Sequence, residues 1–364
     1  MIIRTSVCRH VATASLGALL ACGTEHQDRS AEPEPEPEAT MTLAEQPPRS
    51  APPAPLPIFN ALPGGRTPND LRLPRDFLDW SVIGVADRTD DGTIRVIIGN
   101  DVAVRAARYG FTHPWPEGSM ISQLVWTSGD NPDAPNTVTP AEFSALTLMV
   151  KDTAAFSADG GWAYGAWSGP DLLPPSDPAF DRNCVNCHTS RVKQNDYVFT
   201  RPGRLPSDTA FAARLPAPNG LAIPPDFRDW HVIGVSRPSD GTIRVIVGNQ
   251  VAVDAARAGQ TDPWPTRTML AHYSWLAAGN PDAPESVVPG DFAAVTLMLR
   301  RGDEYAFDGG WQYGLWSGPQ LTPPADALFD RPCVNCHTGL VSDQDFVFTQ
   351  PGPVPVVGLP LQVD

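Results

Sequence analysis

Lysine is nearly absent: Lys151 and Lys193 are the only two in 364 residues. No polybasic patch can therefore hold an anionic membrane surface. Cations as a class are scarce, with 26 Lys and Arg against 41 Asp and Glu and a formal charge of −15. A phosphate backbone is bound by clustered cations, so this balance argues against nucleic acid as a partner. Runs of 18 or more consecutive apolar residues are missing, so the body of the chain reads as soluble. Cysteine is sparse, at six. Cys8 and Cys22 belong to the N-terminus, and Cys184, Cys187, Cys333 and Cys336 form two close pairs. None is left for a separate structural disulfide.

What is abundant is proline, at 41 residues, which implies many turns and little uninterrupted helix. The N-terminus reads as an export signal over residues 1–21, with Arg4 and Arg9 ahead of a short apolar stretch from Val11 to Ala21. Eleven residues are too few to span a bilayer. The stretch ends in Leu19-Leu20-Ala21-Cys22-Gly23, which resembles the bacterial lipobox and marks Cys22 for lipidation. By resemblance to Gram-negative lipoproteins, Gly23 after that cysteine favours the outer membrane over the inner, with the protein expected to face the periplasm or the cell surface. Residues 22–71 read as a tether, because the Pro/Glu alternation after Ala31 cannot bury apolar surface.

Self-comparison shows a tandem duplication. Phe77-Leu78-Asp79-Trp80 returns as Phe227-Arg228-Asp229-Trp230, at an offset of 150. From Asp91-Gly92-Thr93-Ile94-Arg95 onward the offset is 149, and all ten tryptophans fall into five pairs. The copies are expected at 72–203 and 222–352, with a linker over 204–221 and a tail over 353–364. Within a copy, TIRVIIGN and TIRVIVGN read as strands after an Asp-Gly turn. Asn100 to Gly110 reads as a short helix with Asn100 as its cap. SQLVW, ALTLMV, GGWAYGAW and YVFT, with their counterparts, read as further strands. Thr139-Pro140-Ala141-Glu142 imitates a capping box, but the second copy has Val288-Pro289-Gly290-Asp291 there, which starts a helix poorly. The expected class is α+β and β-rich: two tandem antiparallel-sheet domains with a few short helices. Along GGWAYGAW the aromatics Trp162, Tyr164 and Trp167 alternate along a strand, and most of them are expected to pack in the core or the interdomain contact.

The chemistry lies in Cys184-Val185-Asn186-Cys187-His188 and Cys333-Val334-Asn335-Cys336-His337. Two thiols in C-x-x-C-H can form thioethers to one haem, and the adjacent histidine can reach the iron from the same face. Two covalently bound haems c are therefore expected, with Cys184, Cys187, Cys333 and Cys336 as attachment points and His188 and His337 as axial ligands. The other readings are a dithiol redox pair, which needs an α/β setting, and a shared zinc site, which needs the motifs to meet. No second histidine is common to both copies. Met120/Met269 and Met149/Met298 are shared but sit in apolar segments that suit packing. Five-coordinate iron with an open face is the default.

In order along the first copy, GTIRVI, PWPEGSMISQLVW, TLMVKDTAAF, DGGWAYGAW and CVNCHTSRVKQNDYVFTRP resemble a cytochrome P-460 domain, and the resemblance covers each copy nearly end to end. That resemblance implies β-rich periplasmic monohaem cytochromes that pair as homodimers, so the two copies are expected to pair within one chain. It also implies hydroxylamine oxidation at a haem cross-linked to a lysine, or, in the related cytochrome c′-beta proteins, binding of nitric oxide or carbon monoxide. The cross-linking lysine position carries Gln123 in the first copy and His272 in the second. The position of a proton-relaying glutamate carries Thr147 and Thr296, which cannot act as carboxylate bases. These four are the distal candidates. The expected function is redox or ligand chemistry of small nitrogen oxides at open haem iron, with a periplasmic electron-transfer partner. The alternatives are a nitric oxide or carbon monoxide binder without turnover, and an electron-transfer dihaem cytochrome.

Overall fold

The computed structural model describes residues 65–302, 305 and 309–355. The expected signal at 1–21, lipidation at Cys22 and most of the 22–71 tether lie outside them, as does the end of the tail. Among the described residues no helix is long and apolar enough to cross a membrane.

The first copy runs β1 (Ser81–Arg88), β2 (Thr93–Gly99), α1 (Asp101–Tyr109), β3 (Met120–Asp130), β4 (Val138–Lys151), β5 (Trp162–Ser168) and α2 (Arg182–Val192). A short α3 (Asp208–Ala213) lies between the copies. The second repeats the order with β6 (His231–Ser236), β7 (Thr242–Gly248), α4 (Gln250–Arg257), β8 (Met269–Asn280), β9 (Ala283–Arg300), β10 (Trp311–Ser317) and α5 (Arg331–Val341). The Asn100 side chain accepts from Ala103 N, and Gly110 ends α1 in the left-handed region, as the capping pattern predicts. Thr139 to Glu142 lies inside β4, paired with β3; strand pairing overrides the capping-box likeness.

All pairings are antiparallel. The strand order is β5-β4-β3-β2-β1-β9-β8-β7-β6, with β10 also on β9. The two copies therefore join edge to edge: Asp87 and Arg88 of β1 oppose Val287 and Ser286 of β9. The reciprocal contact is a bridge between Val138 and Arg237. A buried Asp87 also pairs with the Arg237 guanidinium. Other cross-copy bonds come in matched pairs. Trp126 Nε1 donates to Pro353 O at 2.6 Å and Trp275 Nε1 to Arg204 O at 2.9 Å. Asn131 Nδ2 donates to Phe348 O at 3.2 Å and Asn280 Nδ2 to Phe199 O at 3.3 Å. Such reciprocity is what an approximate twofold relation produces.

Period-2 alternation sorts the side chains into faces. Ile94, Val96, Ile98, Leu124, Trp126, Leu146 and Trp167 pack with Ile243, Val245, Val247, Tyr273, Trp275 and Trp316 in one core common to both copies. The opposite face of each copy packs separately. In the first, Ile97, Ile121, Trp162 and Tyr164 meet Cys184 and Val185 of α2. In the second, Ile246, Leu270, Trp311 and Tyr313 meet Cys333 and Val334 of α5. The aromatic alternation along β5 and β10 is as the sequence predicts.

One expected strand is corrected. YVFT and FVFT pair with no strand. Tyr197 and Phe346 sit at φ 64° and 63°, a left-handed turn that an extended strand cannot contain. Conversely, β1 and β6, and the helical state of the C-x-x-C-H segments, are found here and not foreseen.

Candidate functional site

Each C-x-x-C-H motif lies in the first turns of its helix. Spacings of three and four residues put both thiols and the imidazole on neighbouring positions of one helix side. Cys184 and Cys333 are half-buried, Cys187 and Cys336 exposed, and none of the four is in a disulfide. The helix starts are tied down by a pair of asparagines. Asn69 Nδ2 donates to Tyr164 O and to Asp181 Oδ2, both at 2.9 Å. Asn219 does the same with Tyr313 O at 2.8 Å and Asp330 Oδ2 at 2.9 Å. Sequence reasoning passed over these residues, although their recurrence at the offset of 150 was a usable signal.

The imidazoles are committed at one nitrogen. His188 Nδ1 lies 2.6 Å from Tyr197 O, and His337 Nδ1 lies 2.7 Å from Phe346 O. A carbonyl oxygen only accepts, so Nδ1 carries the proton and Nε2 keeps a bare lone pair. Burial pushes both histidines below the usual pKa, opposed in part by that same hydrogen bond. The neutral form is the one a metal takes. Tyr164 and Phe199 both pack edge-on against His188 at 4.9 Å. Tyr313 and Phe348 lie at the same distance from His337.

Burial raises the Cys184 and Cys333 thiols, with Asp181 and Asp330 adding to it. An activated redox pair requires the opposite shift. Nor do the motifs meet: among the described residues no cluster of three or more His, Cys, Asp or Glu could hold a metal ion.

The distal candidates fall on the sheet face turned toward these helices. Gln123 opposes both Ile97 and Thr147, and Thr147 opposes Ala166. The next row along that face carries Met149 opposite Tyr164, and Tyr164 is the ring against His188. In the second copy His272 opposes Ile246 and Thr296, and Thr296 opposes Leu315. The structure thus brings Gln123 with Thr147, and His272 with Thr296. Burial, with Arg244 and His337 as lesser causes, lowers the His272 pKa to about 3, so its ring is neutral.

Arg95 and Arg244 are a further pair that sequence reasoning did not select. Arg95 lies on the same face as Gln123, and its Nη1 donates to Gln123 Oε1 at 3.4 Å. Thr93 holds its Nε at 2.9 Å, and Asp91 pairs with the guanidinium. Arg244 has the same arrangement with Thr242 and Asp240. The Asp-x-Thr-x-Arg alternation was visible in both copies and signals three side chains on one face. Met149 and Met298 pack beside the helix cysteines, whereas Met120 and Met269 join the common core. Arg182 and Arg331 are exposed at the helix starts.

These residues fit a haem c. Each copy offers two thiols outside any disulfide at thioether spacing, an imidazole with Nε2 uncommitted, and apolar and aromatic walls. The Tyr164 hydroxyl is buried without a hydrogen-bond partner among the described residues, a polar atom left over on the cofactor side of the sheet. The Cytochrome P460 family model matches twice, over residues 74–200 and 224–349. Comparison with curated proteins returned no match. The matches cover most of the chain and contain both C-x-x-C-H helices, and the family implies a haem-based cytochrome that binds haem c. The chain belongs to the Cytochrome P460 family and carries its domain twice.

Proposed function

We propose that the protein is an exported, lipid-anchored cytochrome with one haem c in each copy, acting on small nitrogen oxides at an open iron position. The observation that carries this reading is the geometry shared by both copies. Two thiols stand on the helix side of an imidazole whose Nδ1 is spent on a carbonyl at 2.6 or 2.7 Å, facing a sheet surface of apolar and aromatic side chains that carries Gln123 and Thr147, or His272 and Thr296, and an arginine. When bound, haem c supplies an iron that exchanges electrons and takes a small ligand. Cys184 and Cys187, like Cys333 and Cys336, hold the group by thioethers. His188 and His337 offer Nε2. Gln123 and Thr147, and in the second copy His272 and Thr296, present neutral hydrogen-bonding groups to a ligand. Arg95 and Arg244 add a fixed cation that favours an anionic or polarised ligand atom.

No carboxylate stands at Thr147 or Thr296 to relay protons, and neither Gln123 nor His272 is lysine. That observation favours ligand binding and electron transfer over hydroxylamine turnover. A nitric oxide or carbon monoxide binder is thus the second reading. The anchor at Cys22 would hold the protein at the outer membrane, facing the periplasm, where an electron-transfer partner would meet it. Within the chain the two copies act as each other's dimer partner.

The test is the full chain made with a haem-maturation system. Two thioether-linked haems per chain, and a ferrous spectrum that changes on adding nitric oxide, are expected. Replacing Cys184 and Cys187 by serine should leave one haem. A low-spin spectrum indifferent to nitric oxide would overturn the open iron, and a chain without attached haem would overturn the whole reading.

A further inference from the structure

Lys151 ends β4 with its side chain 3% exposed, while Lys193 is exposed. Its ammonium donates to Asp196 Oδ1 at 2.8 Å, to Asp196 Oδ2 at 3.0 Å and to Gly160 O at 3.0 Å. It also lies 5.0 Å from the centre of the Trp162 ring. Asp196 is held at two further points. Its Oδ2 accepts from Trp115 N at 2.8 Å, and its carbonyl accepts from Trp162 Nε1 at 2.8 Å. A buried ion pair of this kind contributes little net stability compared with an apolar pair of the same size. What it fixes is a conformation. Asp196 and Tyr197 are consecutive residues at φ 52° and 64°, which side chains adopt only when their surroundings over-determine them. The carbonyl of Tyr197 is the one that takes the His188 Nδ1 proton.

The second copy repeats the device with one change. Arg300 stands where Lys151 stands, and its Nη2 lies 3.1 Å from Asp345 Oδ1. Trp264 N donates to Asp345 Oδ2 and Trp311 Nε1 to Asp345 O, both at 2.8 Å. Asp345 and Phe346 sit at φ 50° and 63°, and Phe346 O takes the His337 Nδ1 proton. The guanidinium is planar and larger than the ammonium, so it cannot present the same three short bonds from one point.

We infer that Lys151–Asp196 and Arg300–Asp345 are positioning pairs for the two axial histidines, and that their lysine/arginine difference makes the two sites unequal. The pair holds the carbonyl, the carbonyl orients the imidazole, and a well-aligned Nδ1–H bond raises the donor strength of Nε2. The inference rests on the proposed reading of His188 and His337 as iron ligands, and not on which small molecule meets the iron.

The experiment is optical redox titration of the full-length holoprotein, with haem counted in every sample. Lys151→Met should keep two attached haems and shift one midpoint upward. The ferrous-to-ferric ratio of that haem should rise about tenfold at fixed ambient potential, equivalent to about 59 mV for one electron. Lys151→Arg should restore most of the shift and bring that haem toward its neighbour's midpoint. Two attached haems with unmoved midpoints in Lys151→Met would overturn this inference alone, as would both midpoints moving together. If Lys151→Met fails to fold, Lys151→Arg and Arg300→Lys decide, each being expected to move only the haem of its own copy. Unmoved midpoints in both would overturn the inference. A parent protein without haem would remove the histidine premise and the proposed function together.

Discussion

Single residues carry two predictions. Gly160 sits at φ 69°, and a Cβ there would come within 2.1 Å of the Tyr197 ring. Gly160→Ala therefore strains the backbone and displaces the ring of Tyr197, the residue whose carbonyl accepts from His188 Nδ1. A loss of about 2 kcal/mol or more is expected, read as a lower thermal midpoint. His272 has a folded pKa near 3, far below the ordinary value of about 6.5. The unfolded chain takes up a proton there as the pH falls below 6.5, and the folded chain does not until near 3. Stability tied to this residue is thus intact above pH 6.5 and is lost progressively toward pH 3. His272→Gln, the residue of the first copy, should flatten that dependence. Urea midpoints of parent and variant at pH 7, 5.5 and 4 should diverge in the variant's favour as the pH drops; parallel curves would contradict it.

Among the elements, α1 shows how local signals act. The Asn100 side-chain oxygen accepts from Ala103 N and Met120 N, both at 3.1 Å, and its Nδ2 donates to Gly118 O at 2.9 Å. It therefore caps the helix and ties it to β3. Asn100→Ala should cost about 1–2 kcal/mol, measurable by thermal unfolding. The helix was legible because its cap, its apolar stripe and its Gly110 stop all lie within eleven residues of sequence. The turn at Asp196-Tyr197 was not legible. From Tyr197 on the residues have strand character taken alone, and the partner that holds Asp196, Lys151, lies 45 positions upstream. β1 was missed for a related reason. Ser81–Arg88 alternates weakly, with a register shift between Val82 and Gly84, and becomes a strand by pairing with both β2 and β9.

At the scale of the molecule, the two copies fold around one core. Trp126, Trp167, Trp275 and Trp316 are almost wholly buried in it, and the indole of Trp126 bonds to the far end of the other copy. A Cβ at Gly203 would come within 2.7 Å of the Trp275 ring, so the first copy's end is fitted to the second copy's tryptophan. Residues 65–203 made alone would expose that apolar face. They are expected to pair as dimers or to lose cooperative unfolding, as read by light scattering and near-ultraviolet circular dichroism. A stable folded monomer would contradict the shared core.

By itself the sequence determined the duplication, the alternation of faces along the strands, the capped helix and the thiol–imidazole spacing. Each of these is written in short-range period or in identity between copies, and needs no knowledge of what packs where. Only the tertiary structure decided that the sheets join through β1 and β9, that Arg95, Gln123 and Thr147 share a face with Tyr164, and that a buried lysine fixes the carbonyl behind His188. Those features depend on residues far apart in sequence meeting in a dry interior, where an ion pair or a hydrogen bond can outweigh the local preference of the chain.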